Sequence, residues 1–126
     1  MFEPEVENLV IVAIKAAMEK QAEEIIAIDV SSRLALTDAF IIASADTQRQ
    51  VSAIVDFIDE QMHKNGVVAT RKEGLTECHW VLLDYGAIVV HVQLTEDREY
   101  YDLERLWSDC PRFEIPNSVF GELTGD

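Results

Sequence analysis

The sequence predicts an α/β fold: a mixed β-sheet of about five strands, a right-handed βαβ crossover and flanking helices. Three observations lead there. Short runs rich in Ile, Val and Phe recur at residues 25–32, 34–45, 67–71 and 79–92. A long stretch of helical periodicity separates the second run from the third, which makes a strand–helix–strand unit whose two strands run parallel. The last run, "HWVLLDYGAIVVHV", is apolar at nearly every position, so a hairpin built from it asks for cover on both faces. With 126 residues the chain is read as one domain over residues 1–109, followed by a loosely structured tail over 110–126 that holds Pro111, Pro116, Gly121 and Gly125.

Taken in order, residues 4–24 form the first helix. Pro4 suits a first turn, Glu3, Glu5 and Glu7 favour a helix N-terminus, and Val6, Leu9, Val10, Ala13, Ile14 and Ala17 recur at helical spacing. "IIAIDVSS" and "LALTDAFIIASA" follow as strands joined by polar residues and Arg33. Thr47 and Gln50 then match a capping box, after which Val51, Ile54, Val55, Ile58 and Met62 form one apolar stripe, and Asn65 with Gly66 supplies the left-handed stop. "VVATR" resumes a β pattern, and "KEGLTE" reads as a loop before the hairpin. "EDREYYDLERLW" returns to helical spacing through Tyr100, Leu103, Leu106 and Trp107.

Composition narrows the function classes. No run is long enough to cross a bilayer, and the acidic start "MFEPEVENLV" has neither a basic secretory segment nor an Arg-rich transit character, so a cytoplasmic location is expected. Cys78 and Cys110 lie far apart and outside any C-x-x-C spacing, which fits reduced thiols. With 24 acidic residues against 10 basic ones the net charge is −14, a field that repels phosphate backbones. Direct sequence-specific nucleic-acid binding is therefore not expected. The charge serves either solubility alone or a basic partner.

Alternation along the hairpin places Trp80, Leu82 and Asp84 on one face and Val81, Leu83 and Tyr85 on the other. A two-residue loop at Tyr85 and Gly86 pairs Trp80 with His91, Leu82 with Val89 and Asp84 with Ala87, leaving an aliphatic face and a mixed one. A three-residue loop ending in Gly86 would instead put His91 among the aliphatic residues. The mixed face is either a partner surface anchored by an indole, or it is closed by Trp107 and Tyr101 folding back onto Trp80.

Chemistry has few candidates. His63 sits near a helix C-terminus, where an imidazole is at home, and His79 and His91 have no metal-ligand spacing, so no metal and no cofactor is expected. "FIIASADTQRQ" is similar to the strand–turn–helix at which nucleotidyltransferases hold a Gly-Ser pair and two carboxylates. Here Ala43 stands in the Gly position and Asp46 is the only nearby acid. A nucleotide and magnesium site near Ser44 and Asp46 is thus the enzyme-class alternative, and a homodimerising scaffold is a third.

"LTDAFIIAS", "RQVSAIVD", "EG", "HWVLLDYGAIVVHV" and "REYYDLERLW" occur in an order that resembles the ribosomal silencing factor (RsfS, Iojap-like) family over residues 29–109. The resemblance implies a non-enzymatic domain of nucleotidyltransferase-like topology. It implies binding to the large ribosomal subunit through its basic ribosomal protein uL-fourteen, block of small-subunit joining, and repression of translation under nutrient limitation. The implied partner surface falls on Trp80, Leu82 and Asp84, with Val89, His91, Arg98 and Tyr101 beside them. Asp84 serves either a basic residue of the partner or the hairpin turn, and Arg98 either the partner or Glu104 or Asp102 within the chain. A homodimer of the free protein would use the same face.

Overall fold

The structure, a computed structural model, describes residues 1–119. Among these the order is α1 (Pro4–Glu19), β1 (Glu23–Asp29), β2 (Ala39–Ala45), α2 (Gln48–Lys64), β3 (Arg71–Glu73), β4 (Trp80–Asp84), β5 (Ile88–Leu94), α3 (Thr95–Tyr101) and α4 (Leu103–Leu106). The five strands form one mixed sheet in the order β1-β2-β5-β4-β3. β2 and β5 are parallel, while β1–β2, β4–β5 and β3–β4 are antiparallel. No helix among the described residues is long and apolar enough to cross a membrane.

Parallel pairing puts β2 and β5 at the centre, where both faces need cover, and all seven residues of β2 are buried. On one face α1 and α2 close the main core over Ile41, Val81, Leu83, Ile88, Val90 and Val92. The opposite face carries a smaller core in which Ile28, Phe40, Ile42 and Val89 meet Leu103 and Cys110, with Trp80, Leu82 and Trp107 half-buried at its edge. The second cover that the apolar hairpin requires is therefore α3, α4 and the residues after them.

Several expectations need correction. The first helix ends at Glu19 rather than 24, because Gln21 and Glu24 take positive φ and Glu23 already pairs with Ser44. Residues 67–70 are irregular, and the third strand is the short edge Arg71–Glu73, which keeps only Arg71 of the run read as β and takes Lys72 and Glu73 from the stretch read as a loop. It is parallel to β2 as expected, but β5 and β4 lie between them. Thr47 Oγ accepts from Gln50 N at 3.1 Å, yet the Gln50 amide turns to Gln21 O, so only half of the capping box forms. Gly66 alone takes the left-handed stop; Asn65 stays at φ −94.

The last helical segment is broken at Asp102, whose φ of +48 separates α3 from α4. Residues 110–119 are tied down rather than loose. Asp29 N donates to Pro111 O, Phe113 N donates to Ala27 O, Cys110 and Val119 are buried, and Phe2 packs on Phe113. The expectation for the remainder of the tail lies outside the described residues. Both cysteines are free.

Candidate functional site

The hairpin register differs from the expected one by two residues. Trp80 lies opposite Gln93, Leu82 opposite His91 and Asp84 opposite Val89, and the tight turn is at Gly86 and Ala87, closed by Tyr85 N donating to Ile88 O. A slip of two leaves each side chain on its face, so the mixed and aliphatic faces survive the correction. Asp84 Oδ1 accepts from Gly86 N at 2.9 Å, which stabilises the turn, and its other oxygen lies 3.8 Å from Arg71.

Trp80 is held from three sides. Its indole Nε1 donates to His91 Nδ1 at 3.1 Å, and its ring packs on Tyr101 with centroids 4.9 Å apart. Behind its backbone, Gly74 at φ +81 comes so close that a Cβ there would sit 2.1 Å from Trp80 O. Only glycine combines that conformation with that approach. The indole remains half-buried, with Leu82 and Asp84 likewise half-exposed along the strand. Beside it opens a cleft of about 240 Å³ that carries the carboxylates of Glu77 and Asp97, together with His79.

His91 lies underneath, 5% exposed, and burial pushes its imidazole down to about 4. It is neutral at physiological pH, and since Nδ1 accepts from the indole, the proton belongs on Nε2. Val89 is also buried. Arg98 is 5% exposed: Nη1 donates to Ser44 Oγ at 3.0 Å and Glu23 O at 3.2 Å, while Nε and Nη2 face the Glu104 carboxylate at 3.4 and 3.5 Å. Of the two roles open to Arg98, the intramolecular pair with Glu104 is the one seen.

Of the seven residues singled out in the sequence, Trp80, Leu82, Asp84 and Tyr101 thus reach the surface, while Val89, His91 and Arg98 lie beneath it as support. Tyr101 folds onto Trp80, but Trp107 packs instead on Phe40 at 4.9 Å, with Arg33 over its other side. Sequence reasoning missed Gly74, whose close approach has no local signal, and Tyr100, which is 81% exposed next to Tyr101. It also missed Gln93, fully buried on the mixed face, although the two-residue alternation from His91 reaches it.

At the nucleotidyltransferase-like corner an open cleft of about 330 Å³ lies beside Ser44, Thr95 and Arg98, and the polar groups there are bonded to one another. Ser44 is 2% exposed, donates to Glu23 O and accepts from Arg98, and Asp46 Oδ1 accepts from Thr95 Oγ at 2.7 Å. Among the described residues no cluster of three or more His, Cys, Asp or Glu is arranged to hold a metal ion.

The family model described as "Ribosomal silencing factor during starvation" matches residues 3–124. A ribosomal silencing factor from Bacillus subtilis is 38% identical over 104 residues, spanning 82% of this chain and 88% of that one. The Mus musculus protein "Mitochondrial assembly of ribosomal large subunit protein 1" is 32% identical over 71% of this chain and 41% of its own length. A crystal structure from Bacillus halodurans superposes with a TM-score of 0.77 at 33% identity, covering 86% of this chain and 99% of that one.

Proposed function

The chain belongs to the ribosomal silencing factor family, and from that premise we propose that it represses translation without catalysing a reaction, by docking its mixed face on the large ribosomal subunit. The partner is a basic protein of the intersubunit side, ribosomal protein uL-fourteen, and the bound domain excludes the small subunit by bulk. It acts in the cytoplasm when nutrients are short.

One observation carries this reading: a half-buried indole, Trp80, stands on a supported surface next to Leu82 and Tyr101 and is edged by Asp84, Glu77 and Asp97. An aromatic anchor ringed by carboxylates suits a basic protein surface, and a net charge of −14 disfavours ribosomal RNA as the primary contact. The relative named for assembly of the mitochondrial large subunit supports the choice of subunit.

Gradient sedimentation with isolated large subunits, small subunits and their mixture tests the proposal. The protein is expected to travel with large subunits alone and to lower the yield of joined ribosomes. Trp80→Ala should weaken that binding by about 2 kcal/mol, roughly thirtyfold in Kd. Absence from the large-subunit fraction, or an unchanged yield of joined ribosomes, overturns it.

A further inference from the structure

Glu23, Ser44, Gln93 and Trp80 are lateral neighbours on four strands and form one row across the sheet. α3 spans this row. At one end Arg98 bonds Glu23 O and Ser44 Oγ; at the other, Tyr101 packs on Trp80. The two residues are three apart, so they share a helix face. Gln93, between those ends and fully buried, has neither amide atom hydrogen-bonded to the protein, so its side chain gives the helix no hydrogen bond. Thr95 ties the start of α3 to Asp46, and Asp97 approaches His79, just before β4, at 3.9 Å; from there to the break at Asp102 the hydrogen bonds that reach the strands themselves are those of Arg98.

The Arg98 guanidinium also crosses the break, since Nε and Nη2 face Glu104 on α4. Taking a guanidinium out of water is costly unless its donors are satisfied, and here the fork is shared among β1, β2 and α4. Such a group is spent on geometry, with four of its five N–H groups turned to acceptors within the chain.

We propose that Arg98 is a positioning residue: by clamping α3 and α4 to the sheet edge it sets Tyr101 on Trp80, and so presents the indole in its docking orientation without touching the partner. The inference rests on the docking reading above for its binding consequence, but the arrangement of Trp80 in the free protein is a separate observable.

The full chain carrying Trp107→Phe leaves Trp80 as its single tryptophan. In that background Arg98→Met keeps the stem and removes the fork. Expected are an unchanged far-ultraviolet circular dichroism, Trp80 emission at longer wavelength with stronger acrylamide quenching, and large-subunit affinity lowered about tenfold. On a Tyr101→Ala background the same substitution should cost less than about twofold more, because its effect runs through Tyr101. Lowered binding with unchanged emission would mean that Arg98 touches the partner, and unchanged emission with unchanged binding would mean that it sets nothing. Either result overturns the proposal. Should Arg98→Met fail to fold, Arg98→Lys carries the test, since an ammonium cannot span all three acceptors, and a smaller emission shift in the same direction is expected. If the unsubstituted chain does not bind large subunits at all, the docking reading fails, while the emission of the free protein still decides whether Arg98 sets Trp80.

Discussion

Burial holds the His91 imidazole neutral down to about pH 4, against an ordinary 6.5, and this ties the support under Trp80 to pH. Above pH 6.5 the folded and unfolded chains both carry neutral His91 and the residue contributes no pH dependence. As pH falls toward 4 the unfolded chain takes up the proton first, so stability drops. Between pH 7.5 and 5 the loss is about 2 kcal/mol. Urea unfolding of the wild type and of His91→Gln across that window checks it: the wild type should lose about 2 kcal/mol more than the variant, and parallel curves would refute the burial argument. The alternation of the hairpin made Trp80, Leu82 and Asp84 legible as one face, because strand geometry alone decides that. The depth of His91, Val89 and Arg98 was not legible. It depends on α3 and α4 arriving from later in the chain, and no local pattern records where a distant helix will land.

Elements with their own start and stop chemistry were read best. The stripe Val51, Ile54, Val55, Ile58 and Met62 is buried as its spacing demands, and α2 begins at Gln48 behind the Thr47 hydroxyl. Because that hydroxyl satisfies a backbone donor while the Gln50 amide is turned to Gln21 O, the two halves of the motif should differ in weight. Thr47→Ala is expected to cost about 1 kcal/mol and Gln50→Ala less than half of that, read as shifts of the urea midpoint at constant slope. Equal costs would mean that the capping box closes in solution. Elements lacking such chemistry were misplaced. The edge strand Arg71–Glu73 is three exposed charged residues, and it is β by virtue of pairing with β4, not by composition. The break at Asp102 interrupts a periodic series without a glycine or proline to mark it, and the tie of residues 110–119 to β1 is made by backbone groups that sequence does not distinguish.

At the scale of the molecule, charge decides how the domain would meet the ribosome. Its 24 acidic residues against 10 basic ones give a net −14, and under the proposed docking the RNA phosphates of a ribosomal subunit carry charge of the same sign. A field of that sign pushes the protein away from RNA and toward exposed basic protein, so docking through Trp80 requires a locally positive target among negative surroundings. The two possibilities differ in how salt acts. Screening shortens the reach of both fields, with a Debye length of about 10 Å at 0.1 M. If encounter is governed by attraction between the carboxylates beside Trp80 and a basic protein, association should slow as salt rises, and replacing Glu77 and Asp97 with Gln and Asn should flatten that dependence. If long-range repulsion from RNA dominates, association should instead speed up with salt. Stopped-flow association with large subunits over a salt series separates the cases. The expected outcome is slowing, with the double variant both slower at low salt and less sensitive to it, because carboxylates at the rim change the approach more than the hold of the buried anchor.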